Sequence, residues 1–392
     1  MNKAFLFGYY GMHNAGDNAL LLASAWGAKR YFQAEQVTVN ACHELKLPLL
    51  GSIPSLINEH QDFPGQNRLL QYRAAWQNKH LIFGGGSVFH CARDIQHMRH
   101  LCRINQGRNS ALGVGLGPFK NTAAEKECKK FLEQCDFVGV RDLQSYEIAK
   151  SLSVNANVEL TFDLAAILSE IPKAELHRCS ETQAKPGDNS IVVNTSEKDK
   201  RRGIAVALCP VERLGGDYAA ETYRLKTLAR SLALIHALTG EPIYLFDFNG
   251  HPSLGDSAVH KQLKNLIPQG VPVIYYYYQS NPALIIEKFK QMRVVLAMRL
   301  HAAVFSFLAE TPCINLSYHS KCDGWHQQVK APARYRFDAF KLNEMRLQKE
   351  LIDGLEYGFD GAQLAISDAL RASLKNFDLR SIAMEDLLCV NH

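Results

Sequence analysis

The sequence predicts two doubly wound α/β domains, Rossmann-like and facing each other across a cleft. Three observations carry that expectation. Short apolar runs alternate with helical patterns of about 10–15 residues, the signature of a parallel sheet with helices on both faces. The alternation occurs twice, separated by an aperiodic stretch at 171–190 containing Pro172, Pro186 and Gly187. The chain has 392 residues of which 47% are hydrophobic, enough for two cores and long for one.

In the first series the pattern predicts strand 4–7, a Gly/Asn loop, helix 18–31 and strand 36–40. Helix 68–77 and strand 80–83 follow, closing on Gly84-Gly85-Gly86. Helix 94–105 leads to strand 110–114 and the loop Gly115-Leu116-Gly117-Pro118. Helix 122–134, strand 136–140, helix 143–150 and strand 158–162 complete the first domain, set at 1–170. After the linker 171–190, the second domain (191–340) reads as strand 203–209, helix 218–238, strand 242–247 and helix 256–266. Strand 271–275, helix 281–290, strand 294–298, helix 302–309 and strand 313–316 follow. The segment 341–392 reads as an amphipathic helical tail packing back across the junction.

Several function classes are excluded early. Net charge is +5, and the one dense basic cluster, Lys198, Lys200, Arg201 and Arg202, is interrupted by Asp199, so it reads as a solvated segment and not a nucleic-acid stripe. The apolar start reaches Gly8 within four residues of Ala4, which is not the shape of a cleavable signal. Arg299 and His301 interrupt the apolar stretch 294–309, so no transmembrane segment is expected. Ten cysteines without a Cys-x-x-Cys pair fit reduced thiols and a cytoplasmic location, with membrane contact limited to peripheral attachment at the inner face. His90, Cys91, His97, His100 and Cys102 match no zinc spacing, and no cofactor is expected.

The chemistry-bearing residues cluster where strands end. Gly8 to Asp17 opens the first helix, where exposed N–H groups favour anions and glycine admits a ligand to the backbone. Asn14 and Asp17 would either cap that helix or touch a ligand. Gly84-Gly85-Gly86-Ser87 follows the same logic. Gly113-x-Gly115-x-Gly117-Pro118 lacks dinucleotide-binding spacing, since Pro118 stands where the last glycine belongs. Arg141-Asp142 and Arg299-Leu300-His301 each follow a strand and open a helix. An arginine fork there binds carboxylate or phosphate, or else pairs with a neighbouring carboxylate. Leu300 should pack inward, with Arg299 and His301 flanking it.

Taken in order, Gly11-x-x-Asn14-x-Gly16-Asp17-x-Ala19-Leu20, Gly84-Gly85-Gly86, Gly113-x-Gly115-x-Gly117-Pro118, Arg141-Asp142-x-x-Ser145, Asp163 and Arg299-Leu300-His301 resemble the polysaccharide pyruvyl transferase family. The resemblance covers about 5–165 and 290–322 well, the middle loosely and the last fifty residues not at all. It implies a GT-B-like fold and transfer of pyruvate from phosphoenolpyruvate onto sugar hydroxyls as a ketal, on a surface polysaccharide or lipid-linked glycan. One departure stands out: the family usually has Asp-Pro-Lys after Tyr318, whereas this chain has His319-Ser320-Lys321.

Such a reaction needs a cationic clamp, a proton donor to the methylene carbon and a base for each attacking hydroxyl. Arg299, Arg141 and Lys321 suit the clamp, and His301 the proton shuttle. Asp17 is a candidate base or sugar ligand, with Asp163 a second. Asn14, Gly16, Gly85, Gly86, Ser87, His90, Gly115 and Leu300 complete the expected substrate-binding set. The glycine-rich first domain is expected to take the acceptor and the second the donor. The run Tyr275–Tyr278 should alternate, two rings to the core and two outward. His251 and Asp256 follow a strand, so they line the cleft, or Asp256 caps the next helix. Two rival readings remain: a GT-B-like glycosyltransferase using a nucleotide sugar, and an inactive relative acting as a scaffold in glycan assembly.

Overall fold

A computed structural model describes residues 2–58, 60–177, 201–210 and 218–377, with Ser87 and Val88 by backbone alone. Most of the expected linker, and Lys198, Asp199 and Lys200 of the basic cluster, lie outside the described residues. The chain divides into two compact units. The first comprises Met1–Met12, Asp17–Arg178 and Ser367–His392; the second comprises His13–Gly16 and Cys179–Ile366.

In the first unit the strands are β1 (Lys3–Tyr10), β2 (Gln36–Ala41), β3 (Leu45–Leu47), β4 (Gly51–Ile53), β5 (His80–Phe89), β6 (Arg108–Leu116), β7 (Phe137–Val140) and β8 (Val158–Leu160). Six of them form a parallel sheet in the order β2-β1-β5-β6-β7-β8, while β3 and β4 make a small antiparallel hairpin. The helices are α1 (Ala15–Arg30), α2 (Gln66–Gln77), α3 (Ala92–Ile104), α4 (Thr122–Leu132) and α5 (Leu143–Leu152). A core of Phe5, Leu81, Phe83, Phe89, Val114 and Phe131 lies under α3 and α4.

The glycine motifs are corrected by this sheet. They were expected as loops after strands 80–83 and 110–114, yet Gly84, Gly85, Gly86 and Gly115 lie inside β5 and β6. Gly84 pairs with Leu112 and Gly86 with Val114, so the ladder continues through residues whose composition suggests a loop. Gly85 and Gly86 have φ of 75° and 84°, a conformation that side chains resist, and the register shifts just beyond them. Helix α1 also begins earlier than the expected residue 18, at Ala15.

The second unit holds β9 (Ile204–Ala207), β10 (Ile243–Phe246), β11 (Val273–Tyr276), β12 (Val294–Ala297), β13 (Cys313–Ser317) and β14 (Arg336–Asp338). All pair in parallel, in the order β11-β10-β9-β12-β13-β14. After the short helix α6 (Lys173–His177), which still belongs to the first unit, the second unit's helices are α7 (Tyr218–Thr239), α8 (Ser257–Leu266), α9 (Pro282–Phe289), α10 (Leu300–Leu308), α11 (Ser320–Gln328) and α12 (Glu344–Tyr357); α13 (Ile366–Leu374) lies almost wholly in the first unit. Strand β12 is apolar throughout and fully buried between β9 and β13. Each of its Val and Leu side chains contributes about 1.5–3 kcal/mol by burial. Order reverses between β9 and β12, the place where such sheets bind ligands at strand C-termini.

The tail divides. Helix α12 packs on α7 within the second unit, and residues from Ser367 onward belong to the first. There Asn376 accepts from Gly113 N at 2.8 Å and from Thr161 Oγ1 at 3.1 Å, both buried.

Candidate functional site

Arg299 ends the central strand β12 of the second unit and stands as the N-cap residue of α10. Its neighbour at the order reversal is the end of β9, since Met298 N donates to Ala207 O at 2.9 Å. The Arg299 side chain pairs with Asp256, which is fully buried. Nε donates to Oδ2 at 3.2 Å, and Nη2 donates to Oδ1. Oδ2 also accepts from Phe248 N (3.0 Å) and Asn249 N (2.9 Å). Asp256 therefore does not cap α8, as one sequence reading had it; it makes no side-chain bond to that helix. Burial acts to lower the Arg299 pKa, but the Asp256 carboxylate outweighs it and holds the guanidinium above its usual value, a permanent cation. The Asp256 fork uses two of five N–H groups and leaves three, on a side chain 20% exposed.

The loop anchored by Asp256 holds the segment His13–Gly16 of the same unit. Asn14 forms an antiparallel bridge with Asn249, Ala15 N donates to Phe248 O at 2.9 Å, and Gly250 N donates to His13 O at 2.8 Å. Asn14 Oδ1 accepts from Gly16 N at 2.9 Å, the capping role weighed for it. Gly16 has no room for a side chain: a Cβ there would lie 2.1 Å from His301 Nδ1. His301 sits in the first turn of α10 with its ring near Phe305, and Leu300 is buried as expected. Lys321 lies in the first turn of α11, with Nζ 5.6 Å from the Tyr318 ring centroid. The departing residue His319 caps that helix, its Nδ1 accepting from Lys321 N at 3.3 Å.

Two neutral groups border the arginine. Burial pushes the Cys209 thiol up to about 12, against the opposing pull of Arg299. Burial likewise raises Tyr318 above the ordinary phenol range. Behind them, buried His260 joins Asp247 (Nδ1 to Oδ1, 2.6 Å), and its Nε2 accepts Leu208 N at 3.1 Å. That geometry puts the ring proton on Nδ1 and fixes the end of β9 beside Arg299. Sequence reading missed Asp247 and His260; an acid closing a strand was the available signal. His251 closes a turn, its Nδ1 accepting from Leu254 N at 3.1 Å. The tyrosine run alternates: Tyr275 and Tyr277 stack at 5.7 Å, while Tyr276 packs on Phe246 and Tyr278 on His13.

In the first unit the order reverses between β1 and β5. There Tyr10 OH donates to Gly84 O at 2.7 Å, and a Cβ on Gly84 would lie 2.4 Å from that hydroxyl. His90 follows β5 directly, is exposed, and lies with Nδ1 3.3 Å from Pro118 O. Asp17 lies in the first turn of α1, half-buried. Arg141 and Asp163 meet: Nη1 lies 3.5 Å from Asp163 Oδ2, and Nε 3.5 Å from Asp142 Oδ2. Both are buried, and Asp163 Oδ1 also accepts Ala165 N at 3.0 Å. The Arg141 ion pair weighed from sequence is thus present. Ser87 has only its backbone described. Among the described residues, no three His, Cys, Asp or Glu groups are placed to hold a metal ion, and no helix is long and apolar enough to cross a membrane.

Two parallel-sheet units, each with an arginine just after a strand, define a GT-B-like α/β protein. The fold is similar to that of a Listeria monocytogenes protein assigned as a UDP-N-acetylglucosamine 2-epimerase (TM-score 0.64, 11% identity, 98% of this chain and 97% of that one). It is similar also to S. aureus MnaA solved with UDP (0.59, 10%, 98% and 97%) and to the Neisseria meningitidis UDP-GlcNAc 2-epimerase bound to UDP-GlcNAc (0.56, 10%, 100% and 100%). No match was found among curated proteins. The polysaccharide pyruvyl transferase family model matches residues 14–320, and the chain belongs to that family. The family is one of transferases.

Proposed function

We propose that this transferase uses phosphoenolpyruvate as donor and builds a pyruvate ketal on two hydroxyls of a glycan sugar. The observation that carries the reading is the Arg299 fork, fixed by buried Asp256 at the start of α10, with His301 two residues on. Its remaining N–H groups suit a carboxylate or phosphate, and Lys321 adds a second cation. His301 gives a proton to the methylene carbon, and C2 becomes the electrophile. One sugar hydroxyl bonds to C2 and loses its proton, and the C2–O bond to phosphate breaks. The second hydroxyl then closes the ketal and loses its own. Of the two protons released, one replaces that taken by the carbon and the other goes to phosphate, so the balance closes. Asp17 is assigned as a base or sugar ligand, His90 as a contact to donor or acceptor, and Gly85, Gly86, Ser87 and Gly115 to the acceptor side; Arg141, expected in the clamp, is held by Asp142 and Asp163. The acceptor is a surface polysaccharide or lipid-linked glycan.

The test is direct. Titrate the protein with phosphoenolpyruvate and, separately, with UDP-sugars, and follow phosphate release with glycan acceptors. Phosphoenolpyruvate binding that Arg299→Ala abolishes supports the proposal. Tight nucleotide-sugar binding without phosphoenolpyruvate binding overturns it in favour of a glycosyltransferase. A protein that binds neither is a scaffold.

A further inference from the structure

Helix α2 of the first unit carries apolar side chains on two faces. Gln71, Ala74 and Ala75 are buried, and the helix packs on α3. On the other side Leu69 is 57% and Trp76 61% exposed, seven residues and so nearly two full turns apart. Phe63, just ahead of the helix, is 47% exposed. Single exposed apolar residues are ordinary, but a large leucine and an indole aligned on one helix face are not explained by packing within the unit. The charge around them is one-sided. From Phe63 to Lys79 the chain holds Arg68, Arg73 and Lys79, all exposed, and neither aspartate nor glutamate. The nearest acid in sequence, Asp62, is engaged by Gln66 Nε2 at 2.7 Å.

We propose that this face of α2 docks on an anionic lipid bilayer. Trp76 would settle at headgroup depth, where indole rings with one apolar and one polar edge are favoured, and Leu69 and Phe63 would reach the acyl boundary. Arg68, Arg73 and Lys79 meet the negative surface potential, each adding about fivefold to affinity. The charge complementarity selects a lipid surface over a second copy, because two such faces brought together would oppose cation to cation. The inference stands apart from the donor and acceptor assigned above.

The full chain is sedimented with vesicles of phosphatidylcholine alone and of phosphatidylcholine with phosphatidylglycerol. Binding is expected only with the anionic lipid, falling as salt rises, and with a blue shift of tryptophan emission. Trp325 is buried and Trp26 half-buried, so the shift reports mainly on Trp76 and disappears in Trp76→Phe. Arg68→Gln with Arg73→Gln should weaken binding about 30-fold, and Leu69→Ser with Trp76→Ser should abolish it while far-UV circular dichroism stays unchanged. No binding to anionic vesicles, or binding that neither pair of changes weakens, overturns the proposal. So does a dimer in sedimentation velocity that Trp76→Ser dissolves.

Discussion

Replacing Asp256 with asparagine tests the arrangement around Arg299 at its support. In the wild type, a fully buried carboxylate takes two N–H groups from Arg299 and two from the backbone of Phe248 and Asn249. Asparagine has one acceptor oxygen. If that oxygen keeps the backbone pair, its NH2 group faces the guanidinium, and donor meets donor. Removing one partner of a buried ion pair costs about 3–5 kcal/mol. Arg299 is 20% exposed and can recruit some water, which favours the lower end, about 3 kcal/mol. For a unit of this size that lowers the melting temperature by about 6–12 °C. A guanidinium no longer held by its fork also loses aim, and pyruvyl transfer should fall by about 10²–10³-fold. Scanning calorimetry and a phosphate-release assay measure the two effects. Asp256→Glu, which keeps the charge but displaces it, should fall between the two proteins in both. An Asp256→Asn protein that melts within about 1 °C of wild type and keeps its turnover refutes the reasoning.

Three further outcomes are expected. Gly16→Ala places a methyl 2.1 Å from His301 Nδ1 and should reduce transfer nearly as much as His301→Ala, each by about 10²–10⁴-fold in steady-state assays, with phosphoenolpyruvate affinity less affected. Asn376→Ala removes the acceptor for Gly113 N and Thr161 Oγ1 and should cost about 1–3 kcal/mol in urea denaturation, showing that the tail is part of the first unit. Burial, with Arg68 and His100 nearby, lowers the His97 pKa to about 4 from an ordinary value of 6.5. The unfolded chain therefore takes up this proton first as pH falls. The stability that neutral His97 contributes is complete above pH 6.5 and is lost between 6.5 and about 4. In His97→Phe, which keeps the packing on Phe7 and Tyr72, that part of the pH dependence of the urea midpoint should vanish.

The alternation of strand and helix was legible because buried parallel strands need apolar runs and their crossovers need amphipathic helices. Strand 294–298 and helix 302–309 lie within a residue or two of β12 and α10. Three short strands were not legible: β3, β4 and β14 have three residues each, too few to show a period, while the equally short β8 was placed by the helix before it in the regular alternation. The glycine-rich strand ends were misread because Gly84, Gly85 and Gly86 have loop composition, and only their pairing with β6 makes them strand. Arg299-Leu300-His301 and Lys321 could be picked out by type and position. Asp256 and Gly16 could be picked out too, but not what each supports, because Asp256 lies 43 residues from Arg299 and Gly16 some 285 from His301.

By itself, then, the sequence determined the class of this protein. Local hydrophobic period sets strand and helix, and a cation or histidine just after a strand marks a candidate position at the strand's C-terminal end. The strand orders β2-β1-β5-β6-β7-β8 and β11-β10-β9-β12-β13-β14, and hence where each order reverses, were decided by the tertiary structure. So was the pairing that makes one arginine differ from another. Arg141 and Arg299 look alike in the chain, each following a strand and opening a helix. In the fold, Arg141 lies buried between Asp142 and Asp163, while Asp256 grips Arg299 by one edge and leaves three N–H groups outside that fork, on a side chain 20% exposed. The physical reason is that an ion pair forms between groups adjacent in space, and adjacency across a sheet has no local trace in the order of residues.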